Sequence, residues 1–322
     1  MSELLKNIDA RTRLAGTNKL EILLFTLGED GRTGRREIFG INVFKVREVM
    51  RTTAITAAPE MPECVEGMVS LRGVLVPVVD LAKYTGMRAA APREIMIVTE
   101  YNGHTQGFLV EAVDTILRLD WSQMRVPPDM LTAKLGGLVT AVTELPGNKL
   151  VMMLDVEKVL AETAGYEEDF MYKGIEPVQG EERIVVFADD SSVARKQIER
   201  TLDTLGMPYR GAVNGRAAWI LLQQLARQAA TAGCEVRDLV SLVLTDVEMP
   251  EMDGYILTKS IKSDSSFDGI PVLMHSSLSG MSNQQLGKSV GVDEYVPKFE
   301  PQRLAETVRR LIQSGARKNE KS

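Results

Sequence analysis

Hydrophobic and polar positions follow two different rhythms along this chain. In the first half, apolar residues come in short runs closed by glycine turns. One run spans 21–27 and stops at Gly28-Glu29-Asp30-Gly31; others span 37–43, 46–50, 95–99, 107–113 and 116–119. Short strands at this spacing predict a small all-β barrel or sandwich. In the second half, apolar runs alternate with segments of helical period. Strands are expected at 183–190, 209–213, 239–246, 270–276 and 293–297, and helices at 193–205, 216–231, 254–262, 283–290 and 302–313. Five strands alternating with five helices demand a parallel sheet covered on both faces, an α/β (βα)5 arrangement of flavodoxin-like type. Residues 1–17, with Leu4, Leu5, Ile8 and Leu14 before Gly16, read as a short amphipathic helix.

The first half also carries an internal echo. The run 67–73 leads to Val76-Pro77-Val78-Val79-Asp80, and 137–141 leads to Val151-Met152-Met153-Leu154-Asp155. Each reads as a strand, a turn, then a strand ending in Asp and entering a short helix. A duplicated subdomain fits, with Asp80 and Asp155 as helix N-caps worth about 1 kcal/mol each. Residues 166–182 are acidic and interrupted by Gly and Pro, the character of a linker. The expected division is therefore an N-terminal helix at 1–17, a β domain at 18–165, the linker, an α/β domain at 183–316 and a basic tail at 317–322.

Composition narrows the function classes. The chain has 322 residues, a formal net charge of −6 and 44% apolar residues. That is enough for two cores, and it argues against a nucleic-acid surface. Cys64 and Cys234 lie far apart, so no disulfide framework or zinc site is indicated, and a reducing cytosol is expected. No signal peptide and no apolar run of about 18 residues is found. After Gln313 only a basic stretch with Arg317 and Lys318 follows, so the first domain is expected to carry the output.

The second half holds the chemistry. The run 239–245 is almost wholly apolar and ends in Asp246; the run 183–188 ends in Asp189-Asp190. An Asp after a strand is commonly a turn former or a cap. Two neighbouring strands with the same ending instead place three carboxylates at the C-terminal edge of a parallel sheet, where ligands bind in open α/β folds. Two unit charges about 4 Å apart repel by about 4 kcal/mol at an effective dielectric near 20. Either one carboxyl is protonated or a cation sits among them. Mg²⁺, a small hard ion with oxygen ligands, suits the set.

The other odd strands end in Ser276-Ser277 and Lys298. Taken alone, Ser276 is a strand-end hydroxyl and Lys298 a surface lysine. In register at one edge the residues form a phosphoryl-transfer site. Asp246 is the nucleophile, giving an acyl phosphate. Asp189 and Asp190 hold the metal with Asp246 and the main-chain carbonyl of Glu248. Ser276 offers a hydroxyl to the incoming phosphoryl oxygen, and Lys298 supplies fixed positive charge.

The segment Gly67-Met68-Val69-Ser70-Leu71-Arg72-Gly73 through Leu81 resembles the signature of CheW-type coupling domains over roughly 18–165. The resemblance implies two intertwined β-barrels that bind chemoreceptors and the histidine kinase CheA, and it makes Arg72 an interface residue. The set Asp189-Asp190, Asp246, Met252-Asp253-Gly254, Ser276 and Lys298 resembles a two-component receiver over about 183–315. That implies phosphorylation of Asp246 with Mg²⁺, and inward movement of Ser276 and Tyr295. A coupling domain followed by a receiver is similar to CheV-type chemotaxis proteins, cytoplasmic adaptors recruited to membrane-associated receptor arrays. Two alternatives remain: a phosphate sink for CheA with no effect on coupling, and a phosphatase using an aspartyl phosphate, for which Glu248 is a partial match. The chain departs from the receiver pattern at Pro297-Lys298-Phe299, where Lys-Pro with a cis bond is usual. That leaves the isomer of the bond open, since a non-proline cis bond costs about 2.5–4 kcal/mol. The second helix of this half is also expected to be extended, through Gln224-Leu225-Ala226-Arg227-Gln228 to Gly233.

Overall fold

The structure is a computed structural model, and it describes residues 19–29, 34–87, 93–101, 104–163, 171–277 and 287–319. The expected N-terminal helix and the first half of the helix expected at 283–290 lie outside the described residues. The chain forms two compact units, one reaching Gly165 and the other running from Tyr166 to the end.

The first unit contains β1 (Lys19–Glu29), β2 (Arg36–Asn42), β3 (Val46–Arg51), β4 (Val65–Leu71), β5 (Val74–Asp80), β6 (Ile95–Tyr101), β7 (His104–Val110), β8 (Ala112–Asp120), β9 (Val139–Leu145) and β10 (Lys149–Leu154). They build two five-stranded sheets, in the orders β8-β1-β2-β10-β9 and β3-β6-β7-β5-β4. The sheets share one plan. A central antiparallel hairpin, β1-β2 or β6-β7, is flanked on one side by an antiparallel strand. On the other side it is joined in parallel by the second strand of another hairpin, β9-β10 or β4-β5.

The echo in the sequence is therefore an echo in topology. The chain leaves the first sheet after β2, builds the whole of the second, and returns with β8. This gives the expected double β architecture its interlaced form. Alternation decides which residues are inside, because successive strand side chains point to opposite faces. Leu20, Ile22 and Leu24 of β1 pack with Trp121, Met124, Val151 and Met153. Val76 and Val78 of β5 pack with Val69, Met96 and Val98. The α-helices here are short: α1 (Leu81–Thr85), α2 (Asp129–Lys134) and α3 (Val156–Thr163). Asp80 caps α1, and Oδ1 of Asp155 accepts from the Lys158 amide at 3.1 Å, as expected for both. His104 opens β7, paired with Tyr101.

The second unit contains β11 (Ile184–Ala188), α4 (Ser192–Leu205), β12 (Tyr209–Ala212), α5 (Gly215–Ala232), β13 (Val240–Thr245), α6 (Gly254–Ser263), β14 (Val272–Ser276), β15 (Glu294–Pro297) and α7 (Pro301–Asn319). All five strands are parallel, in the order β12-β11-β13-β14-β15. Both faces of the sheet are covered, which is why its strands read as unbroken apolar runs. On one face Val243 packs with Leu222, Leu225, Leu257 and Ile261 of α5 and α6. On the other, Leu242 and Leu244 pack with Ile198 and Leu202 of α4 and Leu304 and Val308 of α7. Helix α5 is long, 18 residues, ending at Gly233 in the left-handed conformation. Residues 171–182, read from sequence as linker, extend this unit: Ile175 and Val178 pack against the α4–α7 side of its core. No helix among the described residues is long and apolar enough to cross a membrane.

Candidate functional site: an acidic pocket at the edge of the parallel sheet

Strand register brings the acids together. Ala188 stands opposite Thr245 across β11 and β13, so the next residues, Asp189 and Asp246, leave the sheet side by side. The Asp246 amide donates to the Ala188 carbonyl at 2.8 Å and ties the two strand ends. Oxygens of Asp189, Asp190 and Asp246 all lie within 4.8 Å of one another. Asp189 and Asp246 are buried, while Asp190 is half-buried at the mouth.

Lys298 completes the pocket from the far strand. Its Nζ is 2.9 Å from Oδ2 of Asp189 and 3.0 Å from Oδ2 of Asp246, and the side chain is only 1% exposed. A buried ammonium is tolerable only when paired, and here it has two carboxylates. With every group ionised, three carboxylates meet the Lys298 ammonium in one pocket, an excess of negative charge at the sheet edge. A divalent ion with oxygen ligands matches that charge and donor chemistry, so the residues present fit Mg²⁺.

The supporting contacts are local. The Val247 amide donates to Oδ1 of Asp246 at 2.7 Å, and the Ser191 amide donates to Oδ1 of Asp189 at 2.9 Å. Ser191 in turn caps α4 by accepting from the Ala194 amide. Gly254, named in the sequence as part of Met252-Asp253-Gly254, has a duty the sequence did not specify. A Cβ at this position would lie 2.0 Å from the Asp246 carbonyl oxygen, so α6 reaches the pocket only because the residue has no side chain. Asp253 caps α6 through the Ile256 amide, and burial pushes its carboxyl up to about 6 against the lowering effect of the Ile256 and Tyr255 amides.

Ser276 ends β14, fully buried, and its side chain is hydrogen-bonded to the Tyr295 hydroxyl. Tyr295 packs inward against Val247, Tyr255 and Met274. Burial is the main reason its hydroxyl is pushed well above the ordinary tyrosine range, with Asp246 and Glu248 adding to the effect. Glu248 sits half-buried in the β13–α6 loop, close enough to influence both tyrosines. No peptide among the described residues is cis, so the Lys298–Phe299 bond is trans, and Phe299 takes φ +63°. Sequence reasoning missed Arg195. Its Nη1 donates to the carbonyl oxygens of both Asp189 and Asp190 at 2.9 Å, holding the loop that presents them. The one signal in the sequence is a basic residue in the first turn of α4, at the wrong end for the helix dipole.

Arg72 belongs to the first unit. It sits in the β4–β5 turn with φ +51°, its side chain 70% exposed and paired to Glu48 at 3.0 Å. Val74 and Leu75 beside it are also exposed.

Two families account for these two regions. The CheW-like domain family matches residues 21–164, and the response regulator receiver domain family matches residues 185–309. Over 87% of this chain and 90% of the relative, the sequence is 30% identical to chemotaxis protein CheV3 of Helicobacter pylori. The chain belongs to the CheV family of chemotaxis proteins. Membership makes it a chemotaxis adaptor carrying a receiver domain rather than an enzyme of the ordinary kind. Chemotaxis protein CheV1 of the same organism is 26% identical over 97% of this chain and 99% of its own length. Chemotaxis protein CheW of Klebsiella aerogenes is 29% identical over 47% of this chain and 87% of its own length.

Proposed function

We propose that this CheV-family chain joins chemoreceptors to the histidine kinase CheA through its CheW-like domain, at membrane-associated arrays. Its receiver then adjusts that coupling when Asp246 is phosphorylated. The observation that carries the reading is Lys298 buried between Asp189 and Asp246, with Asp190 completing an acidic set inside 4.8 Å.

Asp189, Asp190, Asp246 and the main-chain carbonyl of Glu248 would hold Mg²⁺, which supplies charge neutralisation for phosphoryl transfer. A carboxylate oxygen of Asp246 attacks phosphorus. The bond to the kinase histidine nitrogen breaks, leaving its electron pair on that nitrogen, and an acyl phosphate forms. Oδ1 of Asp246 is held by the Val247 amide, which leaves Oδ2, the oxygen facing Lys298, as the nucleophile. Lys298 then turns from carboxylate to phosphoryl oxygen. Ser276 gives its hydroxyl to a second phosphoryl oxygen and lets go of Tyr295, so the switch pair reports the state of Asp246. Arg72, exposed beside Val74 and Leu75, is the proposed contact in the coupling domain.

Incubation with phosphorylated CheA and Mg²⁺ tests the reading. Label is expected on the wild-type chain and absent from Asp246→Asn, and receptor-stimulated kinase activity is expected to respond to phosphate in wild type only. Unchanged coupling with normal label on Asp246 would instead identify a phosphate sink. Label on Asp246→Asn would remove the proposed mechanism.

A further inference from the structure

The groove between α4 and α7 of the receiver is an occupied docking surface, and its occupant is the chain's own segment before β11. Tyr172 places its ring under the Arg200 guanidinium of α4, 4.4 Å from ring centroid to Cζ. Nε2 of Gln302, in the first turn of α7, donates to the Lys173 carbonyl at 3.2 Å. Ile175 and Val178 pack on the core residues that α4 and α7 share. Arg309, two turns further along α7, donates to the Glu176 carbonyl. The Val178 amide donates to the carbonyl of Leu205, the last residue of α4, at 2.8 Å. The segment thus runs along the groove from the start of α7 to the end of α4.

The segment is held at separate points along the groove, by two partly buried aliphatic side chains and a few hydrogen bonds rather than by a sheet ladder. Such a peripheral segment opens more readily than the core of the unit, and loss of one anchor is felt along it.

One anchor is tied to the acidic pocket. Gln302 lies four residues after Lys298, with only Phe299, Glu300 and Pro301 between them. Phe299 is in the left-handed region at φ +63°, a strained conformation for an aromatic residue. Lys298 contacts Asp189 and Asp246. A phosphoryl group on Asp246 would draw its ammonium off Asp189, and the short stretch to Gln302 has little slack to absorb the movement.

We infer that residues 172–178 form an output strap. Its Gln302 end is loosened when the acidic pocket takes up a phosphoryl group, and the change passes along the chain towards the coupling domain. The inference rests on the proposed phosphorylation of Asp246. It adds the surface by which that event leaves the receiver.

Hydrogen exchange on the full chain, with and without acetyl phosphate and Mg²⁺, tests it, with intact mass counting phosphoryl groups in the same samples. In wild type, uptake of one phosphoryl group is expected to speed amide exchange over 172–178 by about tenfold. Gln302→Ala is expected to give a similar rise with no phosphate present. Ile175→Asp is expected to exchange fast in both conditions while still taking up phosphate, which shows that the receiver remains folded. Full phosphoryl uptake with unchanged or slower exchange over 172–178 would overturn the strap alone. Failure of Gln302→Ala to alter exchange would also overturn it. Absence of phosphoryl uptake would overturn the strap together with the function on which it rests.

Discussion

Asp80 and Asp246 end apolar strands in the same way, yet one is a structural cap and the other the proposed phosphoacceptor. Asp80 is fully buried. Its Oδ1 accepts from the amides of Ala82 and Lys83 at 2.9 and 3.0 Å, and its Oδ2 is paired with Arg93. It is one anion facing one cation and two amides, so nothing is left over for a ligand. Asp246 is equally interior, but it shares Lys298 with Asp189 and has Asp190 close by. The strand–Asp signature therefore says where a carboxylate will be. Whether it is satisfied depends on how many other charges the fold delivers to the same place.

Substitution should separate the two aspartates most sharply. Asp80→Ala removes the α1 cap and strands the half-buried guanidinium of Arg93, which is expected to destabilise the first unit by about 2–4 kcal/mol. Asp246→Asn is expected to abolish phosphoryl uptake while moving the thermal midpoint of the metal-free chain by no more than about 3 °C. Thermal unfolding of both variants, beside labelling of Asp246→Asn, checks the pair; a large loss of stability in Asp246→Asn would erase the contrast.

Gly254→Ala probes the crowding behind the pocket. Its methyl would press on the Asp246 carbonyl. A cost of about 2–4 kcal/mol to the second unit is expected, along with weaker Mg²⁺ binding as β13 shifts. Denaturant titration with and without Mg²⁺ measures both.

The smallest effect concerns Asp253, a cap on α6 whose carboxyl is pushed up to about 6 by burial. The folded chain then keeps this proton at a pH where the unfolded chain has lost it. Its contribution is fully present below the ordinary aspartate range and is lost as pH rises from about 4 through about 6. Above that window the buried charge costs up to about 3 kcal/mol. Asp253→Asn keeps an acceptor for the cap. It is expected to be more stable than wild type at pH 7.5 and equal to it at pH 4, as followed by urea midpoints of the second unit.

Much of this was legible without coordinates. The continuous apolar runs of β11 and β13 were readable because strands covered on both faces have no polar side. The long α5 and the caps at Asp80 and Asp155 followed from local pattern in the same way. Helix α2, the role of Arg195 and the close approach at Gly254 were not legible. An arginine that holds two carbonyls looks, in sequence, like any solvated arginine on a helix. A glycine needed for contact with another strand end looks like a turn.

Sequence alone determined the two rhythms, and with them the two kinds of domain. Side-chain direction repeats every two residues in a strand and every 3.6 in a helix, so burial writes itself into the order of residues. It also determined that acids would stand at strand ends. Only tertiary structure decided which acids meet, because the strand order β12-β11-β13-β14-β15 sets Asp189 beside Asp246 and carries Lys298 to both. It also decided that residues 172–178 are docked rather than free. Both outcomes depend on distances between groups remote in sequence, and charge and packing energies depend on those distances and not on chain order.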